Sequence, residues 1–553
     1  MQISGAQAII QCLLEQGVDT VFGYPGGQIL PLYDALYDAP LRHVITVHEQ
    51  GAAHAADGYA RASGKVGVCI ATSGPGATNL ITGLAAAFMD SIPLVAITGQ
   101  VPTSLIGRDS FQEVDITGMT MPITKHNFQV KDPKKLVDVL RLSFRIARSG
   151  RPGPVLIDIP RDIQVAQVEF VPMAEEEKTK WQPTATTEKL LEEAAKVLAE
   201  AKRPVMIVGG GAIHAQVHEE VHRLAEKCSL PVISTLMGLG AMAGDHPNFL
   251  GLTGMHGNKI ANHAVHNGDV LIAVGSRFSD RMTGTRTVYT KGKTLIQLDV
   301  DPAEINKNVD AHIGLSGDVK TLMGLLVERV NSRENPQWWE TIQSWKTQFT
   351  ETFDGEPLSV PWVMQEIARQ TKDGSYIFTA DVGQHQMWAA QHLVIPGPRS
   401  WVSSGGLGSM GFALPASIGA QMAQPKKRVV HLCGDGGFQM TGMELYTVAT
   451  QKLPIISVII NNRRLGMIKQ LQHVYFDQRY CQCAMPYPVD FTAFAGAFGV
   501  EAAEANTPRE FTELFQAACQ SDTAKVLVVN VREEEYVTPM LKAGASLIDY
   551  VEF

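Results

Sequence analysis

Short runs of β-branched and aliphatic residues recur along the chain, each followed by a longer stretch whose apolar positions repeat at helical spacing. In the first 160 residues the runs fall at Val44–Val47, Val66–Ala71, Pro93–Thr98 and Val155–Ile159. A second set falls at Val205–Val208, Val232–Thr235, Val270–Val274 and Leu295–Leu298. A third comprises Tyr376–Thr379, Arg428–Cys433, Ile455–Ile460 and Val526–Val531, with Met443–Gln451 read as the helix crossing between two of them. Runs without polar alternation predict strands buried on both faces, and strand alternating with helix predicts a mainly parallel sheet flanked by helices. Two polar segments, 169–187 and the Trp-rich 331–359, read as connectors. The expectation is an α/β chain of three domains, 1–168, 188–330 and 360–553.

Length agrees, because 553 residues exceed what one core organises. Charged residues make up 19% and apolar residues 45%, and the net charge of −9 comes from scattered acids. Nucleic acid and membrane surfaces are therefore poor partners. The N-terminus has no basic and apolar targeting pattern, and no apolar run is long enough to span a bilayer, which predicts a cytoplasmic protein. The seven cysteines are dispersed, so neither disulfides nor a thiolate metal site is expected.

The chemistry concentrates at strand ends. Gly434-Asp435-Gly436 follows the run RVVHLC, and Asn461-Asn462 ends the run PIISVII. A strand–helix–strand unit brings Asp435 and Asn462 to one sheet edge, where open α/β sheets bind ligands. A carboxylate and an amide oxygen suit Mg²⁺, which shares its octahedral shell with phosphate oxygens. The flanking glycines admit a diphosphate close to the backbone. Gly-Asp-Gly alone also serves as a turn; the paired strands and the Asn pair are what point to a Mg²⁺-bound diphosphate, read here as thiamine diphosphate. Glu49 ends the run HVITV and opens an Ala-rich helix. By itself an acid there is a helix-dipole partner. Beside a thiamine site it becomes the carboxyl that shares a proton with N1′ of the aminopyrimidine. Ser73–Asn79 is a strand-to-helix turn that serves a ligand edge or a simple helix start equally. In the middle block, Gly209-Gly210-Gly211, Gly254–Gly257, Gly275–Arg281 and Asp299 suggest a dinucleotide, without the strict GxGxxG fingerprint.

Tyr24-Pro25-Gly26-Gly27, His48–Gly51, Ser73–Asn79, Phe111-Gln112-Glu113, Arg151–Pro154, Gly254–Gly257, Asp381–Trp388, Ser404–Gly411, Gly434–Gly436 and Gly466-Met467 stand in this order. From about residue 4 to about residue 545 the chain thereby resembles the catalytic subunits of acetohydroxyacid synthase (acetolactate synthase). The resemblance implies a pyrimidine-binding domain, a central FAD-binding domain and a diphosphate- and Mg²⁺-binding domain. It also implies a homodimer or homotetramer with active sites between subunits, and leaves room for a small regulatory subunit. By position, Glu49 would activate the cofactor, with Pro25, Thr72, Pro75 and Asn79 at the pyrimidine end. Val382, Gln384, His385, Met387, Gly434, Gly436, Gly437 and Gly466 would line the diphosphate and thiazolium side. Asp435, Asn462 and the backbone carbonyl of Arg464 would ligate Mg²⁺. Met410 would hold the cofactor bent; Phe111, Gln112 and Met467 would face the reacting carbons; and Arg281 would hold the second substrate's carboxylate. FAD, redox-silent in this reaction, would lie on Arg151, Gly209, Gly210, Gly211, Thr235, Leu236, Met237, Gly254, Met255, His256, Arg277, Arg281, Asp299, Val300 and Asp318. The implied reaction joins a decarboxylated pyruvate to a second 2-oxoacid, pyruvate or 2-oxobutyrate, in branched-chain amino-acid biosynthesis. The alternatives on the same fold are an FAD-independent catabolic acetolactate synthase and a pyruvate oxidase. Leu471 departs from the Trp common in the family, which predicts a weakened preference for 2-oxobutyrate.

Overall fold

The computed structural model describes residues 1–173, 181–353 and 356–553. The first domain holds β1 (Gln2–Ser4), β2 (Thr20–Gly23), β3 (Arg42–Ile45), β4 (Gly67–Ala71), β5 (Leu94–Gln100), β6 (His126–Gln129), β7 (Pro154–Pro160) and β8 (Gln167–Glu169). The second holds β9 (Pro204–Val208), β10 (Val232–Ser234), β11 (Phe249–Leu252), β12 (Val270–Val274), β13 (Thr294–Asp299) and β14 (Ile313–Ser316). The third holds β15 (Tyr376–Ala380), β16 (Trp401–Ser403), β17 (Arg428–Gly434), β18 (Ile456–Asn461), β19 (Glu501–Ala505) and β20 (Lys525–Asn530). Each domain builds one six-stranded parallel sheet, and β1 pairs antiparallel with β8. The central strands β4, β5, β9, β12 and β15 are buried at every position, as two-sided helix cover requires.

Strand order places the sites. The first sheet runs β3-β2-β4-β5-β7-β6 and the third β16-β15-β17-β18-β20-β19, the same topology twice. The middle sheet runs β11-β10-β9-β12-β13-β14, the strand order of dinucleotide-binding domains. Direction reverses between β2 and β4, between β9 and β12, and between β15 and β17. At these points neighbouring connections leave on opposite faces and open a crevice beyond the strands' carboxyl ends.

The first and third domains share a core. The Glu49–Ser63 helix, rich in Ala and Gly, lies against the Ala413–Ala423 helix. A Cβ at Gly58 would stand 2.1 Å from the Ala416 carbonyl oxygen, and one at Gly419 would stand 1.8 Å from that of Ala55. Backbone therefore touches backbone. Below this seam Arg61 pairs with Asp57 and, at 2.9 Å, with Asp90, all three buried. Arg61 also donates to the Ser403 carbonyl at 2.9 Å, and Asp90 accepts from the Gly405 N–H at 3.1 Å.

Three expectations are corrected. Segment 331–359 is more than a connector: Pro336–Phe349 is a helix that buries Trp338 and Ile342 against the middle sheet, with Trp338 Nε1 donating to the Pro204 carbonyl at 3.2 Å. Its polar composition belongs to the opposite helix face. The crossing helix begins at Asp435 itself, running Asp435–Thr441, then a 3₁₀ turn Gly442–Glu444, then Leu445–Thr450. The strand read at Val44–Val47 lies two residues earlier, because Thr46 and Val47 leave the sheet to lead into the helix that opens at Glu49. Of the other connector, 169–187, residues 174–180 lie outside those described; Phe170 is buried and a helix begins at Ala185.

Candidate active site

At the first reversal point, β2 runs out into Tyr24-Pro25 and β4 into Thr72-Ser73, while β3 leads to Glu49 at the start of its helix. The turns interlock without room for side chains: a Cβ at Gly26 would stand 2.5 Å from Thr72 Cγ2, and one at Gly76 would stand 2.8 Å from the same methyl and 3.2 Å from Glu49 Oε1. Asn79 Nδ2 donates to Glu49 Oε2 at 2.9 Å, which fixes that oxygen and leaves Oε1 facing the Gly76 turn. Pro25, Glu49, Thr72, Pro75 and Asn79 thus form one cluster. Gln112 abuts it through Gly74 and holds a left-handed φ of 60°, whereas the neighbouring Phe111 is 84% exposed.

At the third reversal point the Asp381-Val382-Gly383 turn meets Gly434–Gly437. Asp381 Oδ1 accepts from Val382 N–H and Oδ2 from Gly411 N–H, both at 2.9 Å, which ties this turn to Met410-Gly411. A Cβ on Gly437 would strike Asp381 Oδ2 at 2.3 Å, so only glycine allows the approach. Burial raises Asp381 to about 6. Asp435 is 3% exposed and is likewise raised by burial to about 6, so a cation there competes with a proton as pH falls below that value. Met410 reaches within 3.7 Å of a Cβ built on Gly436. His385 is buried and held by desolvation at about 4; it is neutral at pH 7, and its Nε2 has no partner. In the Nε2–H tautomer it offers one donor to a phosphate oxygen.

Asn462 Oδ1 accepts from Arg464 N–H at 3.0 Å, folding the Asn462–Arg464 turn on itself around a left-handed Arg463. A strap across 483–485 fixes that turn through Leu465 N–H to the Cys483 carbonyl (2.8 Å) and Met485 N–H to the Arg463 carbonyl (3.0 Å). Gly466 is wedged where a Cβ would stand 1.9 Å from Gln384 Oε1 and 2.9 Å from Asn462 Nδ2. Asn461 is spent on Asn530 at 2.7 Å. Gln384 Nε2 is committed to Gln470 Oε1 (2.9 Å) and the Glu535 carbonyl (3.0 Å), so its unpartnered Oε1 suits a donor rather than a phosphate oxygen. Met387 and Met467 pack partly against the third domain's core. Among the described residues no hydrogen bond or ion pair links the Glu49 cluster to the Asp435 cluster within one chain.

The middle reversal point gathers the remaining residues. Gly209 and Gly211 pack on Gly275, with a Cβ at Gly209 only 2.2 Å from the Gly275 carbonyl oxygen, so their glycine identity is already explained by the crossing of two strand ends. Thr235, Leu236 and Met237 follow β10, with Met237 against Gly210 and Leu236 and Met237 against Gly405. Arg151 donates to Ser91 Oγ (2.8 Å) and Glu304 Oε1 (2.7 Å). Desolvation first, and the Arg151 charge second, depress the Arg277 pKa, while the buried Glu304 Oε2 has no partner. Asp299, at the end of β13, is raised by burial to about 6, and Val300 follows it against the middle-domain core. Asp318 caps the next helix through Thr321 N–H at 2.8 Å. Met255 N–H bonds the Arg281 carbonyl at 2.7 Å below Gly254, and His256 meets the Pro539 carbonyl at 3.3 Å. The Arg281 side chain is largely exposed beside Met255 Sδ.

Sequence reasoning missed Glu444, whose carboxylate accepts from Val47 N–H at 3.1 Å, two residues before Glu49. A Cβ at Gly51 would strike Glu444 Oε1 at 2.1 Å. It also missed Glu304. No local signal in the sequence marks either as buried.

Three family models match in series: the thiamine pyrophosphate enzyme N-terminal binding domain over residues 3–119, the central domain over 191–326 and the C-terminal binding domain over 381–531. Fold and matches together define the class, a thiamine pyrophosphate enzyme. The chain is 43% identical to the acetolactate synthase isozyme 2 large subunit of Escherichia coli over the whole of both chains. It is 44% identical to a probable acetolactate synthase large subunit of Methanocaldococcus jannaschii, covering 100% of this chain and 95% of that one. With the large subunit of Corynebacterium glutamicum it shares 42% identity over 99% of this chain and 90% of that one. The chain belongs to the acetolactate synthase large subunits.

Proposed function

We propose that this chain joins the two-carbon unit of a decarboxylated pyruvate to a second 2-oxoacid. The products are 2-acetolactate from pyruvate and 2-aceto-2-hydroxybutyrate from 2-oxobutyrate, at the first common step of valine, leucine and isoleucine synthesis in the cytoplasm. Domains 1–168, 188–330 and 360–553 carry the pyrimidine, FAD and diphosphate ends. The observation that carries the reading is the pair of crevices of identical topology, one with a carboxylate held by Asn79 and the other with Asp435, Asn462 and a donor-ready His385.

Bound thiamine diphosphate supplies a nucleophilic carbanion and the electron sink for loss of CO₂. Glu49 Oε1, the oxygen that Asn79 leaves free, holds the proton shared with N1′. Asp435, the Asn462 amide oxygen and the Arg464 carbonyl would hold Mg²⁺, which would supply charge to offset a diphosphate, and the unpartnered His385 Nε2 would donate to a phosphate oxygen. Asp381 keeps Met410 fixed beside Gly436 by holding Gly411 N–H. Phe111 and Gln112 would cover the reacting carbons and exclude water there, and Arg281 would receive the acceptor's carboxylate as a permanently charged fork. FAD would lie in the middle crevice, with Arg151 and Arg277 toward its diphosphate and the Glu304 and Asp299 carboxylates toward ribose hydroxyls. A homodimer or homotetramer completes the sites, and a small regulatory subunit is an additional partner. Leu471 lies half-buried on the Gly466–Tyr475 helix, and Leu471→Trp is expected to raise the ratio of 2-oxobutyrate to pyruvate used as acceptor.

The test is incubation with pyruvate, Mg²⁺, thiamine diphosphate and FAD, with acetolactate read as acetoin after acid treatment. Acetolactate that requires all three additions, and that vanishes in Glu49→Ala, is expected. Independence from FAD would move the chain to the catabolic type, and hydrogen peroxide as product would move it to an oxidase.

A further inference from the structure

A cluster that the carboligation reading does not use lies at the amino edge of the middle sheet, opposite the Gly209 and Gly275 turns. His222 and Glu226 stand one turn apart on the His218–Lys227 helix, and His246 comes from the loop that precedes edge strand β11. One ligating atom from each of the three lies within 4.8 Å of the others. The two imidazoles meet edge to face at 4.9 Å between centroids, and His246 Nε2 is 3.8 Å from Glu226 Oε1. The placement is enforced: Asn248 Nδ2 donates to the Leu230 carbonyl (3.0 Å) and the Ala225 carbonyl (3.3 Å), locking the loop to the C-terminal end of the helix. Val232 N–H bonds the Asn248 carbonyl at 2.8 Å and anchors the same loop to β10.

We propose that His222, Glu226 and His246 bind a zinc-class transition-metal ion, with water in the fourth position, and so staple this helix to the edge of the middle sheet. Two imidazole nitrogens and one carboxylate oxygen are a borderline-soft donor set that suits Zn²⁺ and not the all-oxygen preference of Mg²⁺. Ligand bonds of about 2.0–2.2 Å require the three atoms to draw together by roughly an ångström. Glu226, whose side chain is 67% exposed, is free to swing inward, while the histidines, 16% exposed at His246, stay seated. His246 Nδ1 accepts from Asn248 N–H at 3.1 Å. Coordination through Nε2 moves the ring proton to Nδ1 and gives up that bond, one hydrogen bond against two metal–nitrogen bonds. His218, one turn earlier on the same face, adds a third imidazole whose Nδ1 is buried without a partner.

The experiment uses the full chain with Mg²⁺ and thiamine diphosphate in excess, equilibrated with Zn²⁺, bound metal being counted by mass spectrometry and the melting temperature recorded. The wild type is expected to hold one Zn²⁺ per chain and to melt higher with it. His222→Ala/His246→Ala is expected to bind it about tenfold more weakly or worse, and Glu226→Gln to show a smaller loss. The metal-free double variant should melt within a few degrees of the metal-free wild type, since the site lies at the surface. Equal Zn²⁺ binding by the wild type and the double variant, or an equal melting shift in both, would overturn the site. A wild type that binds no Zn²⁺ would overturn it as well. None of these readouts depends on whether the chain makes acetolactate.

Discussion

Asn79 occupies one carboxylate oxygen of Glu49, so the proton exchange proposed for this residue falls to the other. Glu49→Gln preserves the Asn79 contact and removes the transferable proton, so kcat should fall by about a hundred- to ten-thousandfold, the range for loss of a general acid–base, with the fold retained. A variant within threefold of wild type would exclude the role. Glu444 offers a test at pH. Burial is the main cause that raises it to about 7, above the unfolded carboxyl value of about 4.3. Folding therefore favours its protonated form. Its contribution to stability is whole below the unfolded value and is lost as pH rises to about 7. Glu444→Gln keeps an acceptor for Val47 N–H without titrating. From pH 5 to 8 the melting temperature of the wild type should fall relative to the variant; parallel profiles would show that the carboxyl does not titrate there. At this scale the sequence was only partly legible. Asp435 and Glu49 announce themselves by their strand-end positions, whereas Glu444 and Glu304 gain their partners only because distant residues, Val47 and Arg151, arrive beside them.

Among elements, the Glu49–Ser63 and Ala413–Ala423 helices carry the contact between the first and third sheets. Gly419→Val would place side-chain atoms inside the space of the Ala55 carbonyl. Overpacking of this kind costs about 1–3 kcal/mol, and at least that is expected because backbone cannot move aside as a side chain can. A lowered melting temperature with loss of soluble protein is the expected result, and an unchanged transition would mean that the helices separate easily. Arg61→Met should be as damaging, since stranding Asp57 and Asp90 without their cation costs about 3–5 kcal/mol. Element type was legible wherever a run was long and buried on both faces, as in β5, β12 and β17. β19, Glu501–Ala505 (EAAEA), is made of helix formers yet is a strand, because it completes the sheet edge along β20. Conversely, Pro336–Phe349 hid its helix behind a polar face while its tryptophans covered the middle sheet.

At the scale of the molecule, the Glu49 and Asp435 clusters are separate within one chain, and Phe111 stands exposed beside the first. The proposed shared site has a sharp consequence. Glu49→Gln and Asp435→Asn proteins, each inactive alone, should regain activity when mixed under conditions that exchange subunits, since a mixed dimer holds one intact site and one doubly altered site. With random pairing, roughly a quarter of the sites are restored. If both residues served one site from the same chain, mixing would restore nothing. Among the described residues no helix is long and apolar enough to cross a membrane.

The sequence by itself determined the α/β class, the three-block order and the strand ends at which chemistry gathers, because two-sided burial writes continuous apolar runs and glycines mark turns that must pass close to other atoms. Tertiary structure alone decided which turns face one another. The reversal points between β2 and β4, β9 and β12, and β15 and β17 follow from strand order, a choice among crossovers that leaves no local trace in the chain. The same holds for the buried acids and for His246, which packing alone brings to the His222 and Glu226 pair on its helix.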